Sequence, residues 1–207
     1  MASVLLHMKQ TRTYTMGARA DRVAQTRRRI LHAALTVSMQ KMTIEITLDD
    51  VASQAGVSVQ TVLRHFGSRD GLIDAAVEAA KNEVEQERRC PVGDVEAAVH
   101  TVVAHYEQRG DFVLRLLGQA FADERIRGIV EPGKLLHRVW VEDVFAPQLE
   151  ARHDRERESL TDVLVVATDV HTWHLLRRDR QLDTDQVEAR MCQLVHAVLG
   201  PDPRRAP

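Results

Sequence analysis

Apolar positions recur at spacings of three and four along nearly the whole chain, as helices packed on a core require. No Val/Ile/Thr-rich alternating run bounded by hairpin turns interrupts them, so the expected fold class is all-α. The pattern predicts a first helix from about Arg22 to Met39, with Ile30, Leu31, Ala34, Leu35 and Val37 as its buried stripe. Residues 1–21 lack that periodicity and read as a flexible basic arm. Two short helices and a longer one, ending near Arg88, follow. Arg89-Cys90-Pro91-Val92-Gly93 then breaks the helical run, because proline cannot continue a helix and glycine loosens the chain. The boundary between a first domain, 22–89, and a second, 90–200, is placed there.

In the second domain the pattern predicts a helix over Asp94–Arg109, stopped by Gly110, and another over Asp111–Phe121. Gly128, Pro132 and Gly133 mark a turn-rich stretch. A helix from about Lys134 to Glu150, kinked at Pro147, comes next. Ala151 to Glu158 reads as a charged linker, and Ser159 as the cap of a long helix reaching Arg178. Asp183 or Thr184 starts a last helix that stops at Gly200-Pro201, leaving a disordered tail over 201–207.

Composition narrows the class. Of 207 residues, 44% are hydrophobic and 28% charged, which excludes disorder for most of the chain. No stretch approaches the roughly 20 apolar residues of a membrane helix. The run Val4-Leu5-Leu6 is too short for a secretory signal, so a cytoplasmic protein without a membrane partner is expected. Cys90 and Cys192 form no ligand-like pair and are expected to be inert.

Charge is unevenly placed. Residues 1–72 carry ten Lys/Arg against five Asp/Glu, a net +5 within a chain whose total is −2. A basic head on an acidic body suits binding to a polyanion.

The segment Thr47 to Leu72 is the most informative. Thr47 and Asp50 have capping-box spacing. Leu48, Val51, Ala52 and Ala55 then form a short amphipathic helix. Gly56 falls where a sharp turn needs positive φ. Val57 fills the core, Ser58 caps a second short helix, Val62 and Leu63 are candidates to face inward, Phe66 packs at its end, and Ser68 caps the third helix. Small Ala52, four residues before Gly56, lets two helices cross closely. This is the pattern of a helix-turn-helix.

The run Thr47-Leu-Asp-Asp-Val-Ala-Ser-Gln-Ala-Gly-Val-Ser-Val-Gln-Thr-Val-Leu-Arg-His-Phe66-Gly-Ser-Arg-Asp-Gly-Leu72 resembles the signature of the tetracycline-repressor (TetR) family of bacterial transcription regulators. Arg29-Ile-Leu-His-Ala-Ala-Leu35 is similar to that family's first helix, and Trp173-His-Leu-Leu-Arg-Arg-Asp179 to one of its subgroups. The resemblance implies a three-helix DNA-binding domain followed by a helical domain for ligand binding and dimerisation. It implies a non-enzymatic regulator with three partners: a double-stranded DNA operator, a small-molecule effector and a second copy of the chain.

Carried over position by position, the resemblance puts Ser58 to His65 in the major groove. Val59 and Gln60 would touch base edges, the amide suiting adenine and the valine a thymine methyl. Thr61 and Arg69 match phosphate contacts, Arg64 reaches phosphate or guanine, and His65 contacts phosphate or packs. Thr47, the cap of the preceding helix, is counted among the DNA-binding residues. Three positions depart from the family's pattern. Leu63 replaces a tyrosine whose hydroxyl meets phosphate, Asp49 puts a carboxylate near DNA, and Met42 replaces the glycine that ends the first helix. Lys9, Arg12 and Arg19 of the arm can compensate in the minor groove.

The family's dimer packs the last two helices of each copy together. The matching apolar stripes are Leu160, Leu164, Ala167 and His171, and Val187, Met191, Leu194, Val195 and Val198. Effector-pocket candidates are His105, Phe112, Leu116, Trp140 and Trp173.

No catalytic motif is present and no cofactor or metal is expected. The alternatives are a metal- or redox-sensing regulator, through His171 and His174 or Cys192 and His196, and an enzyme or scaffold carrying a helix-turn-helix.

Overall fold

In the computed structural model the backbone is described for residues 2–41 and 45–200, with side chains from residue 19 onward in those stretches. Every regular element among the described residues is helical. The helices are α1 (Ala2–Gln40), α2 (Leu48–Ala55), α3 (Val59–Phe66), α4 (Arg69–Glu87), α5 (Val95–Gln119) and α6 (Glu124–Val144). They continue as α7 (Ala146–Glu150), α8 (Asp154–Ala167), α9 (Val170–His174), a π-helical turn over Leu175–Asp179, and α10 (Thr184–Leu199). No helix among the described residues is long and apolar enough to cross a membrane.

The chain divides into two units between Ala80 and Lys81, within α4. The first has a compact core of small and β-branched residues. Ile30, Ala33, Ala34 and Val37 of α1 meet Ile46, then Val51, Ala52 and Ala55 of α2, Val62 of α3, and Leu72 and Ala76 of α4. Leu31 and Leu35 flank this core half-buried. Helix α1 begins about twenty residues before the place that its apolar period marks. Its leading segment contains Ala, Leu, Met, Lys, Gln and Arg and no proline, so propensity favours helix without an amphipathic stripe. The Met42 turn, the side chains of Lys9 and Arg12 and the tail over 201–207 lie outside the described residues.

The second unit is built around α5. Val95, Ala98, Val99, Val102, Val103 and Tyr106 pack against Val141, Val144 and Phe145, against Leu164, Ala167, Val170 and Trp173, and against Val187, Met191 and Val195. Five expected boundaries move. Gly110 does not stop a helix: α5 runs through it, because Trp173 lies against the glycine and needs a position without Cβ. Pro132 with Gly128 and Gly133 lies inside α6. The chain breaks at fully buried Phe145 instead, and Pro147 stands in the first turn of α7, where its missing amide costs nothing. Helix α8 starts at Asp154, not after Ser159, since Asp154 and Glu156 suit the positive end of a helix. It ends at Thr168, whose hydroxyl donates to the Leu164 carbonyl at 2.8 Å, and Asp169 caps α9 afresh.

Candidate nucleic-acid interface and buried cationic cluster

The turn between α2 and α3 is locked at both ends by local hydrogen bonds. Thr47 Oγ1 accepts from the Asp50 amide at 3.1 Å, and Asp50 Oδ2 accepts from the Thr47 amide at 2.9 Å. Lys41 Nζ donates to Asp50 Oδ1 at 2.6 Å. That lysine bond, then the bonds from Thr47, hold the Asp50 carboxyl down at about 2. One of the two acidic residues in the first turn of α2 is thereby engaged, while Asp49 stays exposed. Gly56 closes α2 at φ 62°, ψ 42°, the left-handed conformation, and its amide donates to Ala52 and Ser53. Ser58 Oγ then accepts from the Thr61 amide at 3.2 Å and opens α3.

Helix α3 has a clear inner face. Val62 is fully buried, and Val59 and Phe66 are half-buried against the same core. Gln60 and Arg64, four residues apart, are exposed on one outer face. Val59, expected at a base edge, is half-buried against the core, sharing a stripe with Val62 and Phe66. Leu63 is half-buried between the two faces. Thr61 Oγ1 lies 3.0 Å from Ser58 Oγ, so the two hydroxyls pair with each other.

Two basic residues hold this arrangement from outside α3. Arg27 of α1 places its guanidinium 4.5 Å from the Phe66 ring centroid and donates from Nη1 to the His65 carbonyl at 3.1 Å. It thus fastens the C-terminal end of α3, where carbonyls lack intrahelical donors. Arg69 Nε donates to the Ile46 carbonyl at 2.8 Å and ties the start of α4 to the segment before α2. The sequence marked Arg69 only as a phosphate contact. Neither link has a local signal, since the partners lie 23 and 38 residues away.

The second unit holds a different concentration of chemistry. Arg88 lies with its guanidinium 5.4 Å from the centroid of Tyr106 and 5.7 Å from that of Trp140. Its Nη1 lies 3.0 Å from His137 Nδ1. Beside it, Arg109 Nε and Nη2 grip Glu87 at distances down to 2.6 Å, and His105 Nδ1 lies 2.9 Å from Glu87 Oε2. Burial pushes the Glu87 carboxyl up, but the bonds from Arg109 and His105 outweigh it and hold it below its ordinary value. His105 and His137 are both held down to about 4, by burial first and then by the charge of Arg88. Burial pushes the Tyr106 phenol up to about 12.

Of the expected pocket residues, His105 and Trp140 join this cluster. Trp173 is a fully buried core residue whose Nε1 donates to Glu107 at 2.8 Å. Phe112 and Leu116 are half-buried farther along α5, and Arg115 stands 6.0 Å from the Phe112 ring. The sequence did not single out Arg88, Glu87 or Arg109; a basic residue before a helix break carries no mark of the rings that will flank it.

Leu164, Ala167, Met191 and Val195, expected at a dimer face, are buried in this chain's own core, because α8 and α10 pack on α5 and on each other. Leu160 and Val198 flank that core, while His171 and Leu194 are exposed. His171 Nδ1 pairs with Asp169 at 2.7 Å, and His174 Nδ1 lies 3.8 Å from Asp179. Cys90 and Cys192 are unpaired thiols that burial pushes up, away from the thiolate.

A capped helix-turn-helix with an exposed polar face on its second helix, followed by an all-helical unit, defines a DNA-binding regulator. Residues 30–76 match the family described as bacterial regulatory proteins, tetR family. Residues 30–76 thus carry a tetR-family helix-turn-helix DNA-binding domain.

Solved structures share the fold. A TetR-family transcriptional regulator from Rhodococcus sp. is 18% identical with a TM-score of 0.62, covering 85% of this chain and 100% of its own. A transcriptional regulator from Rhodococcus sp. Rha1 is 16% identical with a TM-score of 0.63, covering 84% and 95%. A tetR-family transcriptional regulator from Streptomyces coelicolor is 21% identical with a TM-score of 0.61, covering 84% and 79%. No curated protein matches the chain.

Proposed function

We propose that the protein is a homodimeric repressor that binds a near-palindromic operator through α3 and is released by a small-molecule effector held in its second unit. The observation that carries this reading is the split of α3. Val59, Val62 and Phe66 anchor it, while Gln60 and Arg64 stand free on the outer face. A short helix locked from behind with polar groups outward suits insertion into a major groove. Gln60 is the base reader, through a bidentate bond to adenine, and Arg64 meets guanine or phosphate. Thr47, Ser58, Thr61 and His65 border the groove, and Arg69 contributes chiefly by holding α4 to the segment before α2.

Two copies are needed to read two half-sites. Apolar side chains that α8 and α10 leave exposed, Val163, Val166 and Leu194, support a self-association surface there. Effector and operator binding are coupled through the population of a form whose two reading heads fit the operator.

The test is fluorescence anisotropy of the purified protein on DNA from upstream of its coding region, beside a scrambled duplex, at several salt concentrations. Tight, salt-sensitive preference for the upstream DNA is expected. Gln60→Ala is expected to cost about 1–3 kcal/mol on the cognate site and to relax the base preference. Unchanged preference in that variant overturns the readout assigned to Gln60.

A further inference from the structure

Arg88 is a cation without a counter-ion. Its Nε is shut away from solvent and has no hydrogen-bond partner. Among the described residues no carboxylate lies within ion-pair distance of it. The adjacent Glu87 is gripped by Arg109 and His105. Asp169 accepts from the amide and the ring of His171 at 2.8 and 2.7 Å. The other neighbours are neutral and fixed. His137 Nδ1 faces the Arg88 donor and so acts as acceptor, which leaves the hydrogen on Nε2, 3.3 Å from Thr168 Oγ1. The Tyr106 hydroxyl donates to the Thr168 carbonyl at 3.1 Å.

A shielded guanidinium with one unmet donor is costly to keep. Nη1 is engaged with His137 and the guanidinium also bonds the Tyr106 hydroxyl, which leaves Nε as the donor without a partner. The Nε side of a guanidinium is the one whose fork matches the two oxygens of a carboxylate. A phosphate dianion would need further cations, and Arg109, the nearest other guanidinium of the cluster, is already taken by Glu87 and Glu83. Around the fork stand the Tyr106 and Trp140 rings, with Phe145 edge-on to Trp140 at 6.4 Å. The matching ligand body is therefore apolar.

We infer that Arg88 anchors an organic carboxylate with an apolar or aromatic body, held between Tyr106 and Trp140. This deepens the effector reading above and rests on it only for the consequence at the operator. The site is a binding site for a small acid in its own right.

The experiment is thermal unfolding of the full chain with matched pairs of acids and their primary amides: butanoate to decanoate, benzoate and phenylacetate. At least one acid is expected to raise Tm by several degrees and quench Trp fluorescence, while its amide does neither. Arg88→Met is expected to keep the helical circular dichroism and lose the response. Arg88→Lys keeps the charge without the fork and is expected to bind at least ten-fold more weakly. The inference is overturned if no acid in the series shifts Tm, if amides act equally, or if Arg88→Met or Arg88→Lys responds as the parent does. Operator binding is followed in parallel. Its absence in the parent protein sinks the regulator reading, whereas the contrast between acid and amide is read without DNA.

Discussion

A Cβ at Gly110 would lie 2.5 Å from Trp173 Cζ3 and 2.7 Å from Cη2. The ring cannot readily retreat, because Trp173 is fully buried and its Nε1 is held by Glu107. Gly110→Ala is therefore expected to lower stability by about 1–3 kcal/mol despite the better helix propensity of alanine. Gly118, on the same helix with open space around it, is the control. There the same change is expected to stabilise by about 0.5–1 kcal/mol. Urea unfolding of the two variants separates packing from propensity. A second residue-scale expectation concerns His105 and His137, both held at about 4 in the folded chain against an ordinary 6.5. Between those values the unfolded chain takes up protons that the folded chain does not, so stability rises with pH. The contribution is complete above 6.5 and is lost as pH falls toward 4. A Tm series across that window should show the decline, and His137→Gln should flatten it.

At the scale of elements, the helix-turn-helix was legible in the sequence because its determinants are local. Thr47 with Asp50, Gly56, and Ser58 with Thr61 each act within four residues, and each cap forms as the spacing implies. The capping box of Asp183 and Gln186 is of the same kind. Gly56→Ala tests the turn directly: nothing lies within 4 Å of an added Cβ, so the cost is that of the left-handed backbone alone, about 1–2 kcal/mol. Chemical denaturation measures it.

What the sequence hid is non-local. Gly110 looked like a stop because Trp173, 63 positions on, was invisible to a local window. The run from Ala151 to Glu158 looked like a linker because its charges lack an apolar stripe, yet its acidic members favour a helix start. In the site, the exposure of Gln60 was readable from its place in α3. The links made by Arg27, Arg69 and Arg88 were not, since each acts on a partner far along the chain.

For the whole molecule, self-association is the property that the proposed operator reading needs. Val163 and Val166 lie three residues apart on α8, 45% and 65% exposed, and Leu194 on α10 is 43% exposed. These, rather than the buried Leu164, Ala167, Met191 and Val195, are the side chains free to meet a second copy. Val163→Asp with Val166→Asp is expected to shift the protein to monomer in light scattering and to abolish tight operator binding. Leu164→Ala should instead destabilise the fold by about 2–5 kcal/mol, as expected for a core leucine.

Pro132 gives α6 a temporal structure as well as a spatial one. The proline has no amide to offer the Gly128 carbonyl, and residues 131–135 around it face solvent. Hydrogen bonding along the helix is thus interrupted between the half that holds Ile126 and Val130 and the half that holds His137 and Trp140. Two segments so joined are coupled by one bond fewer, which lowers the cost of opening the first without the second. The first two turns of α6 can fluctuate while the ring and imidazole beside Arg88 keep their places. A local opening of that kind would leave the half of α6 beside Arg88 packed.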